Sequence, residues 1–323
     1  MNMPGYQRKE TMKAIRYHRH GGPEVLQYED VPVPFVNERE VLVRVHAASI
    51  NPGDWQIRSG MAGDRFPLPY IPGWDISGTV EEVGAGVTSL RVGDEVFGMT
   101  ANSGACAEYA ALPAAQLARK PRSISHEAAA ALPQSACAAW NALFVQGGLK
   151  AGQRVLINGA SGGVGHFAVQ LAKWKGAEVI GVASGRNETF LRKLGVDQFA
   201  DYSFDSWTRA VDPVQLAVDT VGGTEGNRLL EVITPGGSLV PVTWGDYDTD
   251  QAAAGQIDVH DVAMLPVTTA DLDRISRLVE EGQLRAVIDR MFPLKETALA
   301  HELSESRRAR GKIIIRVSST ADR

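Results

Sequence analysis

Two periodicities divide the chain. From Met12 to about Leu117, apolar and polar residues alternate in short runs broken by glycine turns. Ala14-Ile15-Arg16-Tyr17 reads as a short strand and His20-Gly21-Gly22-Pro23 as a turn. Val41 to His46 is a longer strand with Val41, Val43 and Val45 on one face, leaving His46 beside Arg44 as a partly exposed residue on the other. Ile76–Val83, Glu95–Gly98 and Ala107–Ala110 continue this pattern, which predicts a small barrel-like β domain. From about Ser125 the period lengthens. His126–Ala131 and Ser135–Val145 are Ala-rich and helical, joined by Leu132-Pro133. Strands at Val155–Ile157, Glu178–Ala183, Gln198–Ala200, Val214–Asp219 and Ser238–Val242 then alternate with helical segments, including Asn187–Leu194 and Gly226–Val232. Such alternation predicts a doubly wound parallel sheet. After an apolar stretch, Ile257–Leu265, come an amphipathic helix at Thr269–Glu281 and a last strand at Lys312–Val317. The predicted division is residues 1–127 as a β-rich domain (1–11 a disordered extension), 128–266 as the parallel-sheet domain, and 267–323 as the chain returning to the first.

The most informative stretch runs from Arg154 to Ser184. A buried strand leads into Gly159-Ala160-Ser161-Gly162-Gly163-Val164-Gly165, and a helix follows with Phe167, Leu171 and Trp174 on one face. Glycines between strand and helix are the context a dinucleotide fingerprint needs. They allow a tight turn and a close backbone approach, and the helix start offers free N–H groups to a pyrophosphate. At the end of the second strand, NAD sites usually place a carboxylate for the ribose 2′-hydroxyl. Here the chain reads Ser184-Gly185-Arg186-Asn187, with Glu188 the first carboxylate. A hydroxyl and a guanidinium suit a 2′-phosphate, so the predicted cofactor is NADPH. Ligands of such sheets bind beyond the strand carboxyl ends, where Asp219-Thr220-Val221-Gly222-Gly223 and Thr243-Trp244-Gly245 fall.

At 323 residues the chain is long enough for two cores. A net charge of −5 gives no global basic field to recruit nucleic acid or anionic lipid. Cys106 and Cys137 cannot build a disulfide framework and fit reduced core thiols in a cytoplasmic protein. No apolar run reaches a membrane span, and Met1–Thr11 lacks a signal peptide's hydrophobic region.

Together, Ala48-Ser49-Ile50-Asn51-Pro52-Gly53-Asp54, Ile71-Pro72-Gly73-Trp74-Asp75, Val92-Gly93-Asp94-Glu95-Val96, the Gly159–Gly165 loop and the ending Arg310-Gly311-Lys312-Ile313-Ile314 resemble the medium-chain dehydrogenase/reductase superfamily. The likeness is to its zinc-free quinone oxidoreductase, or zeta-crystallin-like, branch and extends from Met12 to Val317. It implies an α/β chain: a GroES-like β-rich catalytic domain made by both chain ends, a Rossmann domain inserted between them, and a homodimer. Zinc alcohol dehydrogenases of this superfamily carry Cys at the position of Asn51, His-Glu at Trp74-Asp75, and a third ligand at the position of Gln134. Asn and Gln are not usual zinc ligands and Trp cannot be one. No metal is therefore expected.

What remains is hydride transfer from NADPH to a small-molecule quinone or α,β-unsaturated carbonyl, whose oxygen gains negative charge that donors can stabilise. Asn51 is the first candidate donor, and an Asx turn before Pro52 is its structural alternative. Tyr70 and Trp74 are candidate pocket walls, Tyr70 also being the nearest phenol, against plain core roles for each. Tyrosines that some relatives carry near Trp55-Gln56 or Ala62 are missing, so the final proton is expected from solvent or a weak acid. The resemblance further implies Ser184 and Arg186 at the 2′-phosphate and Tyr202 near the adenine ribose. Ala160, Ser161, Gly162, Gly163 and Val164 would hold the pyrophosphate, with Gly222, Val242 and Thr243 lining the cofactor. Asp219 reads as a structural turn residue, and Lys312 either approaches the cleft or lies on a surface strand. Two alternatives stand beside this reading: an enoyl-thioester reductase of the same superfamily, and a non-catalytic NADPH- or RNA-binding protein. For the latter, only Arg307-Arg308-Arg310-Lys312 speaks, and a solvated loop explains that cluster more simply.

Overall fold

The computed structural model describes residues 10–100, 102–262 and 266–317, with Glu225 described by its backbone alone. The chain divides into two units. One takes residues up to Pro133, Val267–Asp273 and Ile288 onward; the other takes Gln134–Pro266 and Arg274–Val287. Residues 1–9 of the predicted extension lie outside the described residues.

In the first unit, β1 (Thr11–Arg16) and β2 (Gln27–Pro32) form an antiparallel pair. A larger sheet is built on β3 (Glu40–Ile50), with β4 (Asp75–Val83), β5 (Glu95–Met99), β6 (Tyr109–Pro113) and β7 (Leu117–Arg119). The alternation of Val41, Val43 and Val45 makes β3 its centre. All three are buried in one core with Ile76, Val96 and Leu112. A register shift against β4 between Val45 and Ala47 interrupts that alternation, and Ala47, Ala48, Ser49 and Ile50 are all buried. The strand end, and Asn51 after it, is thereby carried inside.

In the second unit, β8 (Arg154–Asn158), β9 (Glu178–Ala183), β10 (Gln198–Asp201), β11 (Val214–Asp219), β12 (Ile233–Pro241) and β13 (Asp258–Val259) pair in parallel in the order β10-β9-β8-β11-β12-β13. The order reverses between β8 and β11, which creates a crevice at the carboxyl end of β8. The helix Gly165–Trp174 buries Phe167, Ala168, Leu171 and Ala172. Trp174, predicted on that same face, is 41% exposed. It sits on the helix's last residue, where the rings of Trp140 and Phe144 receive it at 5.8 and 6.1 Å. The expected Ser135–Val145 helix is α-helical over Pro133–Trp140 and then widens to a π turn over Asn141–Gln146. Of the apolar stretch Ile257–Leu265, only Asp258–Val259 pairs as a strand, and 263–265 lie outside the described residues. Among the described residues no helix is long and apolar enough to cross a membrane.

The chain returns to the first unit through β14 (Ile288–Pro293) and β15 (Lys312–Arg316), and β15 runs antiparallel to β3. Between them the helix Thr297–Glu305 packs on the helix Pro52–Arg58. Arg58 is buried there, pairs with Glu305 and donates from Nε to the Gly21 carbonyl at 3.2 Å. His301 lies fully buried, and neither ring nitrogen has a hydrogen-bond partner among the described residues. Burial, and then the Arg58 charge, pull its pKa from the ordinary 6.5 down to about 3.

The sign of the linkage follows from that depression. The unfolded chain binds a proton at His301 near pH 6.5, whereas the folded chain resists it until about 3. This stabilisation is complete above pH 6.5 and is lost as pH falls, by about 1.4 kcal/mol per unit. Urea unfolding between pH 7 and 4 is expected to show a shallower acid decline in His301→Phe than in the parent. Equal slopes would contradict the assignment.

Candidate active site

Three strand ends meet in the first unit. The β3–β15 register pairs Ile50 with Ile313, which sets Lys312 beside Asn51. The β3–β4 register pairs Ser49 with Asp75. Asn51, Asp75 and Lys312 are thus assembled by the sheet itself, and all three are buried. Asn51 Nδ2 donates to Asp75 Oδ2 at 2.9 Å, and Ser49 Oγ donates to the same oxygen at 2.7 Å. Lys312 Nζ donates to Asn51 Oδ1 at 2.5 Å and lies 3.5 Å from Asp75 Oδ2. Burial draws the Lys312 pKa below its ordinary value, against the opposing pull of Asp75 and Asp54.

The turn carrying Asn51 is itself pinned. Asp54 Oδ2 accepts from the Asn51 N–H and Oδ1 from the Gly73 N–H, both at 2.8 Å. Burial pushes the Asp54 carboxyl up to about 7, while those two N–H bonds favour its ionised form. Gly73 has φ of +96°, and a Cβ there would stand 2.9 Å from Cys106 Sγ, so this position demands glycine. Of the two readings of Asn51, its backbone starts the helix Pro52–Arg58 while its side chain faces Asp75 and Lys312. Trp74 is half-buried, edge-on to Phe66 at 6.1 Å. Tyr70 packs in an apolar group with Tyr17, Val25 and Ile57, and burial raises its phenol pKa. The structure therefore does not place the Tyr70 hydroxyl in the Asn51 network. Of the two readings of Lys312, the surface one is corrected: the residue is 2% exposed and bonded to Asn51. His46 matches its strand reading, half-buried on Thr79 and stacked on His126.

The donor set does not fit zinc. Asn51 and Trp74 offer no usual ligand, and the Lys312 ammonium already stands on the oxygens of Asn51 and Asp75. Among the described residues, no three His, Cys, Asp or Glu side chains are grouped to hold a metal.

In the second unit, the carboxyl ends of β8, β9, β11 and β12 gather the predicted cofactor residues. Gly159, at φ +74°, and Ala160 donate their N–H groups to the Val182 carbonyl, which turns the chain sharply off β8. Among the described residues, the N–H groups of Ser161, Gly163 and Val164 find no acceptor. That row of unpaired donors fits an anionic pyrophosphate. A Cβ on Gly162 would meet only the Gly159 carbonyl, at 3.3 Å, so the loop is open there. One on Gly165 would lie 2.2 Å from the same carbonyl oxygen and 2.7 Å from Ala160 Cα. Ser184 caps the short turn after β9, and Arg186 within it is exposed, as is Tyr202 after β10. Gly222 lies against the Trp244 carbonyl, bringing the loop after β11 to Val242-Thr243 after β12.

Several residues here carry no motif. Asn187 bridges Ser161 and Ser184, donating to each hydroxyl at 3.1 Å. Asp219, fully buried, accepts from Asn158 Nδ2, the Val221 and Gly222 N–H groups and the Tyr247 hydroxyl. It is a turn organiser, as read from the sequence. His166 bonds the Gly162 carbonyl through Nδ1 at 2.9 Å and accepts the Val287 N–H at Nε2. Donation by one ring nitrogen and acceptance by the other fix a neutral tautomer.

Residues 37–122 match the alcohol dehydrogenase GroES-like domain, and residues 194–315 match the zinc-binding dehydrogenase family. The chain is 33% identical to the chloroplast envelope quinone oxidoreductase homolog of Arabidopsis thaliana, covering 95% of this chain and 98% of that protein. It is 33% identical to the mitochondrial NAD(P)H oxidoreductase RTN4IP1 of Bos taurus (96% and 90% covered), and 31% identical to the 2-methylene-furan-3-one reductase of Solanum lycopersicum (94% and 79%). The solved quinone oxidoreductase of Coxiella burnetii superposes with a TM-score of 0.87 at 34% identity, covering 95% of this chain and all of that one. A GroES-like unit joined to a Rossmann unit with a glycine loop defines a medium-chain dehydrogenase/reductase. Within that superfamily the chain belongs to the quinone oxidoreductase family, and it is an NAD(P)H-dependent oxidoreductase.

Two glycine substitutions separate binding from packing. Gly162→Ala is expected to leave the unfolding midpoint within a few degrees of the parent and to weaken NAD(P)H binding at least about tenfold, because the added methyl faces the open loop. Gly165→Ala overpacks the strand–helix contact and is expected to lose about 1–3 kcal/mol of stability. Denaturation and nucleotide fluorescence titration measure both. The reverse ranking would contradict the loop's assignment.

Proposed function

We propose that the protein is an NADPH-dependent, zinc-independent reductase of quinones or α,β-unsaturated carbonyls. The observation carrying this reading is the Asn51 amide. Lys312 Nζ donates to the amide oxygen and the amide nitrogen donates to Asp75, so the two ends of the amide face different partners. One Nδ2 hydrogen goes to Asp75. The other has no acceptor among the described residues and is left for a ligand oxygen.

The reduced nicotinamide, when bound, supplies a hydride, and hence two electrons, to an electron-poor acceptor. Asn51 donates its remaining N–H to the acceptor's carbonyl oxygen as negative charge develops there. Solvent then provides the proton that completes the two-electron, two-proton reduction. Trp74 is proposed as a wall of the acceptor site, with Tyr70 supporting it from the apolar layer around Tyr17. Ala160, Ser161, Gly162, Gly163 and Val164 hold the pyrophosphate, and Gly222, Val242 and Thr243 flank the cofactor. Ser184 and Arg186 take the 2′-phosphate, and Tyr202 lies by the adenine ribose. Exposure of Arg186 beside Ser184, with no carboxylate ending β9, supports the phosphate preference. The 2-methylene-furan-3-one reductase among the relatives supports enones as acceptors. Buried thiols at Cys106 and Cys137 suit a reducing, cytoplasmic setting, and the family resemblance supports a homodimer.

NADPH oxidation with a panel of quinones, enones and enoyl thioesters tests the reaction. Turnover is expected with quinones or enones and is expected to survive dialysis against a chelator. No turnover above background, or loss that added zinc restores, would overturn the proposal. For the cofactor, Arg186→Ala is expected to raise the NADPH Kd about 10- to 100-fold, in line with loss of a charge-assisted bond, with little change for NADH. Equal losses for both would show that Arg186 does not read the phosphate.

A further inference from the structure

Lys312 is drawn from 261 positions along the chain to reach Asn51, and burying an ammonium is expensive unless it is paired. Asp75 is already supplied with hydrogen bonds by Ser49 and Asn51, yet the shortest bond of Lys312 in this group is to the amide oxygen of Asn51, at 2.5 Å against 3.5 Å to Asp75. That bond has two physical effects. It forbids the flipped amide, since two donors would then face each other. It also places a positive charge on the carbonyl side of the amide, which polarises the N–H groups at the other end and strengthens them as donors.

We propose that Lys312 is a positioning residue for the reduction: through the Asn51 carbonyl it fixes the direction of the unassigned Nδ2 hydrogen and strengthens it toward an acceptor oxygen that becomes anionic. This rests on the reading of Asn51 as the donor. Lys312 touches neither acceptor nor cofactor in this account, and its effect passes entirely through Asn51. The ligand chemistry selected is a carbonyl that turns into an enolate or quinol anion. Acceptors that gain little charge on oxygen would profit less.

A double-mutant cycle on the full-length protein tests this, with 1,4-naphthoquinone as acceptor and NADPH binding followed separately by fluorescence. Asn51→Ala is expected to lower kcat about 100-fold or more, the range seen when one oxyanion donor is removed. Lys312→Met is expected to lower kcat about 10- to 100-fold while KM and the NADPH Kd stay within about threefold, since its action is on the developing charge. The double variant is expected within about threefold of Asn51→Ala, because Lys312 has nothing to act on once the amide is gone. Losses that multiply in the double variant, or a Lys312→Met enzyme with parental kcat, would overturn the proposal. Should Lys312→Met not fold, with Asp75 left beside an apolar chain, Lys312→Gln runs the same cycle. Its amide can still donate to Asn51 Oδ1 without charge, and the same non-additivity is required of it. Parental kcat in Asn51→Ala would instead sink the donor reading itself, whereas a crippled Asn51→Ala with multiplying losses would sink only the role of Lys312.

Discussion

The first unit depends on a buried charge being satisfied. Lys312 and Asp75 lie at strand ends, out of water, and neither would be stable there alone. Several kcal/mol of desolvation per ion is recovered only with good geometry and further hydrogen bonds. Ser49, Asn51 and the register of three strands provide both. The same contacts orient Asn51, whose amide oxygen accepts from Lys312 while its nitrogen donates to Asp75. On the proposed function, stability and chemistry draw on one set of contacts. Without β15 the amide loses Lys312, a partner that orients it.

The second unit leaves the N–H groups of Ser161, Gly163 and Val164 without acceptors among the described residues, an arrangement that fits an anion. Its parallel strands end together, and the reversal between β8 and β11 leaves room beyond β8. Glycine at 159 and 165 lets strand, turn and helix approach more closely than a Cβ would permit. The turns after β9 and β11 are held by side chains rather than by motif glycines alone. Asn187 ties Ser184 to Ser161, and Asp219 collects donors from β8, its own turn and Tyr247.

How much of this the amino-acid order disclosed varies with the range of the interaction. The glycine loop was legible because its physics is local: seven consecutive residues between a strand and a helix. The valines at 41, 43 and 45 were legible because alternation marks a one-sided strand. β2 and β14 were not, since Gln27–Pro32 and Ile288–Pro293 are edge strands with few buried side chains and little alternation. Lys312 stood open between two roles because nothing near it in sequence announces Asn51. Only the antiparallel register of β15 against β3 brings them together. Tyr70 stood open between a pocket wall and a core residue, because a phenol's position in sequence does not tell whether its hydroxyl or its ring faces a site; its ring packs with Tyr17, Val25 and Ile57.

A crystal structure of the protein with NADP⁺ and a bound quinone or enone tests Asn51 as the donor. The acceptor's carbonyl oxygen is expected within about 3.2 Å of Asn51 Nδ2, with Lys312 still on Oδ1 and the 2′-phosphate beside Arg186. An acceptor oxygen held elsewhere, or an Asn51 amide turned with its nitrogen toward Lys312, would contradict it.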